Sequence, residues 1–142
     1  MLLDMALALT ILVLLFAVVW PNLGRGTTSF QQSAVALDVA NVLRSDRTSA
    51  TLSGTSTSTQ IDLERRTVKG AQGHSVTIPN DLALEVTTGS ACVSSARRFV
   101  IVFSADGTSC GGMIVLKKKG LAYVVRFNWL SGMIDVFRRS NG

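Results

Sequence analysis

Residues 1–20 form an apolar run whose single charge is Asp4. Residues 5–20 are uncharged, and with residues 1–3 the run reaches the roughly twenty residues a helix needs to cross a bilayer. A carboxylate inside such a run is costly because lipid does not hydrate it, so Asp4 asks for a partner charge or a function. Pro21, Asn22 and Gly24 follow, and can bend or loosen the helix as it leaves the membrane. From about residue 29 to residue 50 apolar positions recur at three-and-four spacing. Phe30, Ala34, Leu37, Asn41 and Arg44 mark one line; Val35, Val39, Val42 and Leu43 mark its neighbour. The pattern predicts a second helix with an apolar face over 30–43 and a wet face of Asp38, Arg44, Asp46 and Arg47. The simplest arrangement is one long helix, half in lipid and half docked on a domain.

Residues 48–60 are dominated by Ser, Thr and Gly and read as a mobile loop. From Ile61 the pattern shifts to short β-like runs at 60–63, 66–69, 76–78, 82–87, 99–103, 113–116, 121–127 and 133–137. Ala105-Asp106-Gly107, Lys119-Gly120 and Ser131-Gly132 punctuate the last four as hairpins. The expected fold is α+β: a long N-terminal helix packed on a small antiparallel, sandwich-like sheet domain. It divides as 1–21 for the membrane helix, 22–54 for the second half of the helix and the start of a linker, and 55–142 for the β-rich domain.

Other readings of the N-terminal run are weaker. A secretory signal peptide has basic residues before a shorter apolar core and small residues at its cleavage site. Here no Lys or Arg precedes Arg25, and residues 17–21 combine bulky side chains with a proline. A plain single-span anchor leaves Asp4 unexplained. Arg25, the only flanking cation, would favour an exported N-terminus. A basic leader encoded upstream of Met1 is the expectation that resolves this.

The chain carries a net charge of +5, and Asp4 is the only charge before Arg25, so the remainder is one unit more positive. That excess permits contact with anionic lipid or nucleic acid without demanding it. Lys117, Lys118 and Lys119 precede Gly120 and read as a solvated hairpin tip. The two cysteines, Cys92 and Cys110, are a candidate disulfide in an exported domain. If 82–87 pairs with 99–103, however, they start near opposite ends of that pair, and buried free thiols remain the alternative.

No catalytic constellation emerges. His74, the only histidine, falls in a glycine-rich loop without a nucleophile beside it. Asp62 and Glu64 sit beside Arg65 and Arg66, as a surface charge cluster does. Residues 107–112 lack the Gly-Lys-Ser/Thr ending of a phosphate loop. One His and two distant Cys lack metal-ligand spacing. The reading is a non-enzyme with no cofactor, no metal and no small-molecule ligand.

Two motifs carry a resemblance. Phe103-Ser104-Ala105-Asp106-Gly107-Thr108-Ser109-Cys110-Gly111-Gly112, followed by Asn128-Trp129-Leu130-Ser131-Gly132, resembles the Phe-x-Pro-Asp-Gly-Ser-Ser-x-Gly-Gly and Trp-Leu-x-Gly patterns of the type II secretion minor pseudopilin H family. Leu2-Leu3-Asp4-Met5 resembles the Leu-Leu-Glu-Met/Val start of a processed type IV pilin-like helix. Two departures stand out. The leader and its Gly-Phe cleavage junction are absent, with Met1 where the family has Thr, and Asp4 replaces the usual glutamate.

The resemblance implies a periplasmic domain on a single-pass inner-membrane helix, partnered by other pseudopilins and, where a leader exists, by a prepilin peptidase. Leu2, Leu3, Asp4 and Met5 would serve subunit assembly, Asp4 attracting a neighbour's N-terminal ammonium in low dielectric. Leu7, Leu9, Leu12, Leu14, Leu15 and Phe16 would pack between helices. Phe103, Asp106, Gly107, Ser109, Gly111, Gly112, Trp129 and Gly132 would shape the domain's hairpin motif, with Trp129 as a core or sheet-face anchor. The implied function is a structural subunit at or near the tip of a periplasmic pseudopilus that drives protein export. The alternative is a FimT-like minor pilin of a type IV pilus, acting in pilus assembly or DNA uptake. Lys117, Lys118, Lys119, Arg138 and Arg139 would then meet phosphates. Nucleic acid is the disfavoured partner, because the tail is short and no aromatic residues interleave with the cations for base stacking.

Overall fold

The computed structural model describes residues 1–23 and 29–140, the side chains of residues 20–23 excepted. Helix α1 spans Leu2–Leu23 and helix α2 spans Ser29–Ser53. Pro21 and Asn22 fall inside α1; the continuity of the two helices and the part expected of Gly24 lie outside the described residues. Side chains 1–19 are all exposed, and Leu2–Val19 is long and apolar enough to cross a membrane.

Nine strands follow among the described residues: β1 (Thr57–Asp62), β2 (Thr67–Lys69), β3 (Ser75–Thr77), β4 (Ala83–Thr88), β5 (Val93–Ser95), β6 (Arg98–Phe103), β7 (Gly112–Lys118), β8 (Leu121–Phe127) and β9 (Ile134–Ser140). They form two antiparallel sheets, ordered β3-β2-β1-β6-β5 and β4-β7-β8-β9. Helix α2 packs on both. Its Ala36, Val39, Ala40, Val42, Leu43 and Ala50 share one core with Ile61, Val68, Ile101 and Phe103 of the first sheet. Ile114, Leu116, Val125 and Phe127 supply the second sheet's part of that core. Alternation of buried and exposed positions in β6 is the period-2 signature of a strand with one face inward, whereas β8 buries Ala122 and Val124 on one face and Val125 and Phe127 on the other.

Several expectations are corrected. Strands 82–87 and 99–103 are not neighbours: β4 pairs with β7, whereas β6 lies between β1 and β5 in the other sheet. Ala105-Asp106-Gly107 therefore does not close a β6–β7 hairpin. It forms a local turn, sealed by a Phe103–Ser109 bridge, after which the chain changes sheets. The Lys119-Gly120 hairpin does form, with Lys118 opposite Leu121 and positive φ at both turn residues. The 128–133 turn likewise joins β8 to β9.

The 48–60 loop shrinks to the few residues between Ser53 and Thr57. Burial of Ala50 against the domain keeps the polar stretch helical, and the Thr51 and Ser53 hydroxyls are absorbed by donating back to the Thr48 and Ser49 carbonyls. Gly54, at φ +68, ends the helix and donates its N–H to the Ala50 carbonyl.

The faces of α2 are also rotated from expectation. Phe30 is 81% exposed and Leu37 is 48% exposed, while Gln32 and Asp46 are buried. Asp46 is held there because the Thr59 hydroxyl donates to its carboxylate at 2.5 Å and the Ala71 N–H at 3.1 Å. A buried carboxyl group is tolerated only with such hydrogen-bond partners.

Candidate assembly and binding surfaces

Asp4 lies in the first turn of α1, flanked by exposed Leu2, Leu3 and Met5. None of α1's described side chains belongs to the hydrophobic core, so the helix presents an apolar surface with one acid near its start.

The two halves of the family motif meet in space. Phe103 is fully buried at the end of β6. Beyond it the turn closes as Ser104 N–H donates to the Thr108 carbonyl and Gly107 N–H to the Ser104 carbonyl. The Asp106 carboxylate accepts from the Thr108 hydroxyl at 2.7 Å and from its N–H at 3.1 Å. Those two donors, the hydroxyl first, hold the Asp106 carboxyl below its ordinary value. Gly132 of the second motif has φ +68 and lies directly against the Gly107 carbonyl, leaving no room for a side chain. Ser109 N–H donates to the Trp129 carbonyl, and Gly111 packs against the Trp129 Cβ. The motif residues are thus the interlocking parts of two turns.

Arg47 of α2, which sequence reasoning left on the wet face, clasps the pair. Its guanidinium donates to the Gly107 carbonyl at 3.2 Å and to the Ser131 carbonyl at 2.9 Å. Arg44 adds a bond to the Ile134 carbonyl at 3.0 Å. Asn128 shapes the second turn, its side-chain oxygen accepting from Leu130 and Ser131 N–H. Only the Asn before Trp-Leu hinted at this, as a residue type that favours such turns. Trp129 is not the core or sheet-face anchor expected. It is 64% exposed, beside Leu130 at 65% and Met133 at 58%, because the turn lifts it beyond the end of the sheet.

Cys92 and Cys110 form a disulfide, with their Cα atoms 6.1 Å apart. A 3₁₀ turn at Ser90–Cys92 folds back from β4, and Gly89 N–H donates to the Gly111 carbonyl. The pairing of β4 with β7 brings the two cysteines together, which the assumed β4–β6 neighbourhood did not.

At the opposite end of the second sheet a basic corner assembles. Lys117 lies in register with Ala122, and Ala122 with Arg139; Tyr123 is in register with Arg138. Lys119 sits in the exposed turn. Lys118 pairs with Asp81 at 2.6 Å and Lys117 approaches Glu85 at 3.9 Å. All five cations singled out from the sequence therefore share one corner. Gln32 of α2 fastens it, donating from its amide to the Leu116 and Leu121 carbonyls at 2.9 and 3.0 Å. A polar residue one turn before Ala36 on the helix's buried line was the available signal.

No family model matches the sequence. Among curated proteins it is similar to type II secretion system protein H of Xanthomonas campestris pv. campestris, 29% identical over 133 residues, covering 94% of this chain and 79% of that protein. In fold it is similar to the minor pseudopilin EpsH of the Vibrio cholerae type 2 secretion system, with a TM-score of 0.58 at 15% identity, over 74% of this chain and 94% of EpsH. It is also similar to the type IV minor pilin FimU of Pseudomonas aeruginosa, with a TM-score of 0.53 at 16% identity, over 75% of this chain and 88% of FimU. An exposed apolar helix, a second helix across antiparallel sheets, the two interlocked turns and a sequence relative spanning nearly the whole chain converge: the chain has a pilin-like fold and is similar in sequence to a type II secretion system protein H.

Proposed function

We propose that the chain is a minor pseudopilin, a structural rather than enzymatic subunit at or near the tip of a periplasmic pseudopilus that drives protein export. The observation that carries this is α1: an apolar rod, exposed throughout its described side chains, with one carboxylate in its first turn, joined to a pilin-like domain. Such a rod is stable in lipid or against other helices, not in water. Asp4 gives the transfer from lipid to a helical bundle its register, because a neighbour's ammonium offsets the carboxylate's burial. The disulfide fits an oxidising periplasm, with α1 in the inner membrane. That ammonium would be a neighbouring subunit's N-terminus, freed where a prepilin peptidase processes the chain.

Replacing Asp4 tests this in a secretion assay of the native host. Asp4→Ala should abolish export while the protein stays membrane-bound, and Asp4→Glu should restore it. Export by Asp4→Ala at the parental level would overturn the proposal. The likeness to FimU favours a second reading, a type IV minor pilin. Loss of pili with intact secretion in a deletion strain would select it.

A further inference from the structure

Five cations, Lys117, Lys118, Lys119, Arg138 and Arg139, meet at one corner of the β4-β7-β8-β9 sheet, against the two carboxylates Asp81 and Glu85 that pair with Lys118 and Lys117. Lys119, Arg138 and Arg139 are exposed. Covalent reach limits how far this corner can lie from α1. From Leu23, the last residue of α1, to Ser29, the first of α2, the chain has six Cα steps, at most about 22 Å when fully extended. One turn into α2, Gln32 bonds the backbone on both sides of the hairpin tip. The tip therefore belongs to the end of the domain at which the chain arrives from α1. The 128–133 turn, held by Arg47, lies about four helical turns further along α2.

We propose that this corner rests on the anionic lipid headgroups of the bilayer that α1 spans, holding the subunit's domain down before it joins an assembly. The inference rests on the membrane-anchored reading above. A leaflet rich in anionic lipid attracts cations that sit beside a membrane anchor, and the tether keeps the headgroups within reach. The corner suits lipid better than nucleic acid. Its central aromatic, Tyr123, is partly buried against the hydrophobic core, so no exposed ring stands ready to stack on a base.

The test uses the full chain in nanodiscs of phosphatidylcholine, alone or with about one third phosphatidylglycerol, with acetylation of each lysine followed by mass spectrometry. Lys117 and Lys119 should react at least about fivefold more slowly in the anionic discs at low salt. The protection should vanish near 1 M salt, where charges are screened beyond about 3 Å. Lys69, on β2 of the other sheet, serves as the unprotected control. Combining Arg138→Gln with Arg139→Gln leaves the lysines as reporters and should reduce their protection at least about twofold. Equal reactivity in the two disc types overturns the proposal while incorporation into discs leaves the anchor intact. Protection by added duplex DNA in zwitterionic discs, with none from anionic lipid, overturns it in favour of nucleic acid. Failure to incorporate into either disc would strike the anchored reading and the proposal together.

Discussion

A methyl group built on Gly132 falls onto the Gly107 carbonyl oxygen, at a φ of +68 that L residues avoid, whereas one built on Gly120 at φ +77 meets open space. Gly132→Ala should therefore cost more than about 3 kcal/mol and Gly120→Ala only about 1 kcal/mol, measured by urea unfolding in detergent. Asp46→Ala leaves the buried Thr59 hydroxyl and the partly buried Ala71 N–H without their acceptor and should cost about 1–3 kcal/mol in the same assay. Two carboxyls, the exposed Asp106 and the partly buried Asp62, contribute to the acid limb of stability. Asp106 is lowered first by the Thr108 hydroxyl and then by its N–H; Asp62 chiefly by the Arg65 N–H, then by that of Glu64 and the charge of Arg98. A depressed folded pKa stabilises above the unfolded value near about 3.9, and that contribution is lost as pH falls through the folded value. Stability should thus decline with acid below about pH 4, and Asp106→Asn should flatten part of that slope in pH-dependent melts.

Among the elements, the crosslink between Cys92 and Cys110 closes a loop of 18 residues beside the β4–β7 pair. Reduction, or Cys92→Ser with Cys110→Ser, should lower unfolding free energy by about 3 kcal/mol, and the oxidised chain should weigh two protons less than the reduced one. Element identity was legible wherever side chains alternate in burial, as in β4 and β6. It was not in β5, where Val93, Ser94 and Ser95 are all exposed and show no period. The pairing of strands was hidden for a different reason. The runs at 82–87 and 99–103 carry similar alternation, and nothing local says which sheet either joins. On α2 the apolar residues Phe30 and Leu37 misplaced the inward line, because Gln32 and Asp46 are buried through hydrogen bonds that only distant strands provide.

For the whole molecule, α1 dominates behaviour in solution. The full chain should sediment with membranes and resist extraction at alkaline pH, while detergent releases it, because its exposed apolar helix has no core to enter. The motif residues were legible in sequence as a group. Their meeting across the β6–β7 and β8–β9 connections, with Arg47 between them, was not, since nothing local joins Gly107 to Gly132 or Arg47 to either. The fastening of α2 has a mechanical consequence. Gln32 grips the β7–β8 tip at one end, and Arg44 and Arg47 grip the opposite end of the same sheet. Tension entering along the helix axis is then shared by all three fastenings in shear instead of peeling them one after another, so a domain hauled by its stalk should stay seated under load.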